Sequence, residues 1–373
     1  MKSSGPLVSV VVPAFNAEAT LARTLASVLR QSHQTLELLV VDDGSTDRTA
    51  QIAADLAQAD PRLRVIRKEN GGVASARNAA LAEARGNYIA WLDADDLWHP
   101  DKLARQLACL AASGELPAFV YSGYRMIDAD DVIIPAHRPL SDLSGDTLCL
   151  QMATNFFSNV SSVLTRTSFV RALGGHDIRL RGWGVEGAED LLMQLRLMRF
   201  GPALCCREAL VGYRMHQANM SRAYSRAAAS NLRVLRMVAR EYPAVPAWVR
   251  DLACARVVGF VPLIALAGSP IAALRLFLEL MQGQPAATAA MGLRVLMHGL
   301  RHGRGAGGAV DPALGQDFAS ADPRTAIWAA PILLSPSHER RLRDADQQVG
   351  RALRRHVLSD VSVPKGIERR RHP

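Results

Sequence analysis

VSVVVPAFNAEATLARTLASVLRQS, residues 8–32, decides the fold. Val8 to Val12 is a short apolar run, strand-like in length and β-branching. Ala17 to Leu29 follows with Leu21, Leu25, Val28 and Leu29 at the i, i+4, i+7, i+8 spacing of one helix face. The same pair of patterns then repeats. Leu36–Val41 reads as a strand, Ser45 or Thr46 as the cap of a helix through Ile52 and Leu56, and Arg64–Arg67, Val73–Ala84 and Tyr88–Leu92 as strand, helix and strand. Strands alternating with helices predict a mostly parallel sheet covered on both faces. Ligands bind such sheets beyond the carboxyl ends of the strands.

The strand ends therefore carry the chemistry. They read Pro13-Ala14-Phe15-Asn16, Asp42-Asp43-Gly44-Ser45, Asn70-Gly71-Gly72 and Asp93-Ala94-Asp95-Asp96. A dinucleotide fingerprint requires G-x-G-x-x-G directly after the first strand, and none stands there. Gly303–Gly308 matches that pattern by chance, in a glycine-rich linker with no strand before it, and no P-loop occurs anywhere. Asp93 and Asp95 lie on one side of an extended segment, and their oxygens suit Mg²⁺ or Mn²⁺ shared with substrate phosphates. The plainer alternative is an acidic turn in which Asp96 caps a helix starting near His99-Pro100.

Beyond the first hundred residues the pattern is mixed. A strand is expected near Phe119–Ile127, an apolar stretch at Val160–Leu164, a helix over Leu191–Arg199 and a turn into Val211–His216. After Ser225 the composition becomes Ala-, Leu- and Arg-rich with helical periodicity to about Leu300. Val257–Leu274 runs eighteen residues without a charge. Gly and Pro interrupt it, so it reads as two buried helices separated near Gly268-Ser269-Pro270, with a monotopic membrane contact as the alternative. The expected organisation is a catalytic unit over 1–225, a helical appendage over 226–300, and a basic, partly flexible tail of short helical stretches over 301–373.

Composition sets the outer bounds. The chain has 373 residues, 49% of them hydrophobic, 21% charged and 5% aromatic, with 44 Lys and Arg against 35 Asp and Glu. That describes a globular protein, and few aromatics argue against a surface of stacked rings for single-stranded nucleic acid. From Arg301 onward thirteen basic residues face eight acidic ones. The excess is thus largely a tail property, and Arg369-Arg370-Arg371 reads as a solvated end or a contact for an anionic surface. No nucleic-acid partner is expected. Five cysteines without metal-ligand spacing, and an N-terminus without a secretory h-region, fit a cytoplasmic protein, with peripheral contact on the inner face of the membrane as a further option. Oligomeric state is not legible.

Taken in order and spacing, VSVVVPAFNAEATLARTLASVLRQS, LELLVVDDGSTDRT, NGGVASARNAAL (70–81), GNYIAWLDADDLW (86–98), GGHD (174–177), EDLLMQLRL (189–197) and YRMHQANMSR (213–222) resemble the family 2 glycosyltransferases over about the first 225 residues. The resemblance implies a GT-A fold, a Rossmann-like, mostly parallel α/β sheet flanked by helices, and an inverting, metal-dependent transfer from a nucleotide sugar. It implies that Pro13, Ala14, Phe15, Asn16 and Asp43 meet the nucleobase and that Arg77 lies near the base or diphosphate. It further implies that Asp93 meets the ribose and metal, and that Asp95 is the principal ligand of Mg²⁺ or Mn²⁺, with His216 reaching towards diphosphate or metal. Asp190 would be the catalytic base, with Glu189 beside it. Trp183 would wall the acceptor or fill the core, and the glycine-rich stretch 182–188 would close over substrates. Implied partners are a nucleotide-sugar donor, UDP-linked by preference, and a carbohydrate or lipid-linked acceptor in surface polysaccharide or glycoconjugate assembly. Rival readings are a sugar-phosphate nucleotidyltransferase, which should show a basic glycine-rich stretch after the first strand, and a non-catalytic membrane-surface scaffold.

Overall fold

The structure, a computed structural model, describes residues 5–114, 116–135, 142–157, 159–185, 187–216, 223–302, 311–325 and 336–360. Its first half follows the expected alternation: β1 (Val8–Ala14), α1 (Leu21–Leu29), β2 (Leu36–Asp42), α2 (Thr49–Ala59), β3 (Leu63–Arg67), α3 (Val73–Glu83) and β4 (Tyr88–Trp91). β1 pairs in parallel with β2 and β4, and β2 with β3. Strand alternation sends Val10 and Val12 to one apolar core, with Leu21 and Leu25 of α1, and Val11 to the other, with Leu39 and Ala76. α2 starts later than the sequence suggests. Asp47 Oδ1 accepts from the Thr49 amide at 2.9 Å, while Ser45 and Thr46 bond back to Asn16 instead of capping the helix.

The second half comprises β5 (Leu97–Trp98), α4 (Lys102–Ala112), β6 (Phe119–Ile127), α5 (Leu148–Thr154), β7 (Val163–Arg166), α6 (Thr167–Ala172), α7 (Arg179–Gly182), α8 (Glu189–Leu197) and β8 (Ala203–Arg214). All eight strands form one sheet in the order β3-β2-β1-β4-β7-β6-β8-β5. β7 is antiparallel to β4 and β6, and β5 to β8, so the parallel character belongs mainly to the first half. β8 starts well before the predicted Val211, because Ala203–Cys206 pairs with Phe119–Ser122 ahead of an irregularity in register. β5 follows β4 closely in sequence, yet three strands separate them in the sheet. The sheet curls to bring them together, and the Asp93–Asp96 turn spans the opening.

The C-terminal helices are α9 (Tyr224–Glu241), α10 (Ala247–Ala255), α11 (Phe260–Leu266), α12 (Pro270–Gly283), α13 (Pro285–His302) and α14 (Pro336–Asp360). The break between α11 and α12 falls at Gly268, in the left-handed region at φ 84°, as expected. These two helices are not fully buried, however: Ile264, Ala273 and Leu280 face the core, whereas Leu266 is 85% exposed. The expected run of short helical stretches is also corrected. α14 is one helix of 25 residues, docked on α5 through Asp346, which accepts from the amides of Cys149 and Leu150, and through Arg354, paired with Asp146. Residues 311–325 close a small core in which Ala313, Phe318 and Ala321 meet Leu97, Ile127 and Ile133. Buried Arg125 holds Asp311 there in a two-pronged pair at 2.9 and 3.0 Å. Among the described residues no helix is long and apolar enough to cross a membrane. The Gly303–Gly308 linker and Arg369-Arg370-Arg371 lie outside the described residues.

Candidate active site

The first group of predicted residues sits where β1 and β2 end. Asn16 adopts a left-handed conformation, φ 49°, and its side-chain oxygen accepts from the Thr46 amide at 2.9 Å, so the loops after β1 and β2 hold each other. Phe15 projects into solvent beside them. Asp43 is buried and accepts from the amides of Gly71 (3.0 Å) and Gly72 (2.8 Å) and from Lys68 Nζ (2.7 Å). Gly72 reaches that position at φ 83°, a conformation open to glycine. Neither Asp42 nor Asp43 caps a helix: Asp42 accepts from the Ser45 amide and closes its own turn.

Arg77 joins the two halves. The guanidinium, 2% exposed, donates to Asp93 Oδ1 at 2.8 Å and to Glu189 Oε1 at 3.1 Å. Arg77 is therefore no surface charge of α3, although it stands on a helix whose other face is partly exposed. Glu189 is buried at the start of α8, where its second oxygen accepts from the Gly187 amide. Asp190 beside it is half-buried, and burial together with the Glu189 charge pushes its carboxyl up to about 7 against the opposing pull of Arg77. A carboxylate whose conjugate acid titrates near neutral pH can accept a proton there.

The turn after β4 forms the second junction. Asp95 Oδ2 lies 2.8 Å from His216 Nε2, beyond the end of β8. Asp96 does not cap a helix. It is fully buried, accepts from Ser161 Oγ (2.7 Å) and the Arg214 amide (3.1 Å), and ties β8 to the segment before β7. Arg214 is buried too, bonding the Asp95 carbonyl and pairing with Asp131. Asp93 and Asp95, half-exposed, with His216 offer two hard carboxylates and an imidazole, a donor set suited to Mg²⁺ or Mn²⁺ completed by substrate phosphates. Among the described residues no three His, Cys, Asp or Glu side chains are gathered as a complete metal site.

Trp183, six residues before Glu189, is 42% exposed beneath the Arg179 guanidinium, which removes the core alternative. Glu186 and residues 217–222 lie outside the described residues. Sequence reasoning missed Lys68, Asp96, Ser161, His176 and Arg214. His176 packs edge-on against Trp91 beside Arg77, and burial with that positive neighbour holds its imidazole well below the usual range, hence neutral. The available signals were Asp96 in the strand-end group, His176 within GGHD and Arg214 two residues before His216. A cavity of about 410 Å³ lined by Arg23, Trp98, Asp131 and Phe318 includes none of Asp93, Asp95, Glu189 or Asp190.

Residues 9–140 match the profile of glycosyl transferase family 2. TuaG of Bacillus subtilis (strain 168), a glycosyltransferase provisionally assigned to teichuronic acid biosynthesis, is 41% identical over 146 residues, which is 38% of this chain and 57% of TuaG. The chondroitin synthase of Pasteurella multocida (strain Pm70) is 36% identical over 152 residues, 41% of this chain and 16% of the synthase. The chain thus spans little more than half the length of the first of these relatives and less of the second. Among solved structures, S. aureus TarS 1-349 in complex with UDP-GlcNAc superposes with a TM-score of 0.53 at 18% identity, covering 79% of this chain and 92% of TarS 1-349. That likeness extends to the fold, an α/β sheet of the GT-A kind flanked by helices.

Proposed function

Residues 9–140 belong to glycosyl transferase family 2, and from that premise we propose that this protein moves a sugar from a nucleotide diphosphate sugar to a hydroxyl acceptor, with inversion at the anomeric carbon. The observation that carries the reading is the buried Arg77, which joins Asp93 on the donor side to Glu189, next to Asp190, on the acceptor side. Asp190 takes the proton of the acceptor hydroxyl as it attacks. Glu189, held by Arg77 and the Gly187 amide, keeps that carboxyl basic by its charge and fixes the first turn of α8. The loops of Pro13–Asn16 and Asp43 form the base-binding wall, and a UDP-sugar is the proposed donor, as in the TarS complex of the same fold. Asp95, Asp93 and His216 would hold Mg²⁺ or Mn²⁺, which when bound neutralises the departing diphosphate.

The proposed catalytic unit is residues 1–225, with 226–300 as its helical appendage. The acceptor is proposed to be a carbohydrate or lipid-linked glycan in surface polysaccharide assembly, in line with the teichuronic acid and chondroitin that TuaG and the synthase are named for. Replacing Asp190 by Asn should lower kcat by about 100-fold or more, the usual worth of a general base, while leaving Mn²⁺-dependent UDP binding intact by calorimetry. Asp95→Asn should lose both. Equal loss of UDP binding in the two variants would overturn this division of roles.

A further inference from the structure

α12 is apolar on two faces. Ala273 and Leu280, seven residues apart, turn to the core, while Ile271, Leu274 and Leu278, at i, i+3 and i+7, form a second stripe that is 69%, 57% and 50% exposed. A helix apolar all round is ordinarily covered all round. Exposure peaks at the turn with α11, where Leu266 reaches 85%, and Leu263 on α11 and Leu293 on α13 extend the patch. The apolar surface therefore projects as a tip.

Basic residues outnumber acidic ones in the helical segment that carries the tip. Residues 226–300 contain eight arginines and three carboxylates, Glu241, Asp251 and Glu279. Glu279, the acidic residue of α11 and α12, is paired with Arg236 at 2.8 Å, while Arg275 is exposed on α12. At the base of the tip lies a cavity of about 380 Å³ lined by Tyr224, Ser225, Arg226, Ile264, Ala267 and Ser269. Such a cavity combines a cation and hydroxyls with an apolar floor, the combination that a phosphate headgroup on an acyl chain requires.

We propose that the α11–α12 tip docks this protein on a membrane surface rich in anionic phospholipid, with the Arg226 cavity receiving a headgroup phosphate. A projecting apolar tip enters a soft medium without the matching socket that a rigid partner would need. Arg275 on α12 and Arg226 at the cavity supply the electrostatic half of interfacial binding. The cavity wall starts at Ala223, seven residues after His216, and seven extended residues reach at most about 25 Å. Docking at that cavity therefore keeps His216 within about 25 Å of the headgroups, on the side from which a lipid-anchored acceptor would present its sugar. In that respect the inference extends the transferase reading, although the docking itself stands without it.

The test is flotation of the full chain with vesicles of phosphatidylcholine alone and of phosphatidylcholine mixed with phosphatidylglycerol, accompanied by light scattering and by transfer to a soluble acceptor. Wild type should float with the mixed vesicles and at least tenfold less with phosphatidylcholine. The double variant Leu266→Ser, Ile271→Ser should lose flotation, and Arg226→Gln should weaken it. Both should keep wild-type melting temperature and soluble transfer. Flotation unchanged in the double variant, or absent in wild type, would overturn the proposal. So would a wild-type dimer that the double variant dissolves, since the tip would then be covered by a second copy. Loss of transfer with flotation intact would count instead against the transferase reading.

Discussion

Arg77 is the residue on which the site's electrostatics turn. Two carboxylates bind it directly and its charge also bears on Asp190, so changes at any one are felt by the others. The pH dependence follows with a definite sign. A base works ionised, so kcat/KM should rise with pH and level off above about 7, where burial and Glu189 have placed Asp190. Glu189→Gln removes a like charge, so the midpoint of that rise should move to lower pH. A pH–rate profile checks both, and a midpoint that stays or climbs in Glu189→Gln would show that Glu189 does not set the base. This coupling was illegible in the sequence. α3 is rich in alanine, and nothing in its spacing marks Arg77 as the inward residue; ARN suggested a phosphate contact, whereas the side chain is spent on two carboxylates. Asp95 was legible from its place at the end of β4, whereas His216 came only with the resemblance of its YRMH stretch to the family, and their pairing across the curled sheet was not legible at all.

At the scale of elements, the parallel half was readable because each strand and helix announces itself within about a dozen residues, β-branched runs against amphipathic stretches. The second, mixed half was not. Its order depends on pairings such as Phe119 with Thr165 and Phe119 with Ala203, partners far apart in the chain whose mutual preference leaves no local periodicity. α14 escaped notice for a related reason: its docking residue, Asp346, looks like any surface carboxylate until the amides of Cys149 and Leu150 are seen behind it. Asp346→Ala should leave those buried donors unpaired and cost about 1–3 kcal/mol of unfolding free energy. Chemical denaturation checks this. A variant as stable as wild type would mean that α14 is held by Arg354 and its apolar face alone.

At the scale of the whole molecule, the region expected as a basic tail, which carries much of the excess positive charge, contributes to the body of the protein through residues 311–325 and α14. Phe318 fills a core with Leu97, Ile127 and Ile133, and Asp311 neutralises the buried Arg125. A chain ending at residue 302 should therefore melt well below one ending at residue 325, because it loses a buried aromatic, worth about 3–5 kcal/mol, and strands a buried cation. Thermal melts of the two truncations decide the point, equal melting temperatures showing that the sheet edge is self-sufficient. The same contact also imposes an order on synthesis. β1 to β4 pair among residues within the first ninety or so and can form while the ribosome is still working. The far edge of the sheet, β5, is sealed only after a segment more than two hundred residues later has left the exit tunnel. Until then Leu97 and Ile127 lack the cover of Ala313, Phe318 and Ala321, and the nascent chain carries that apolar patch uncovered.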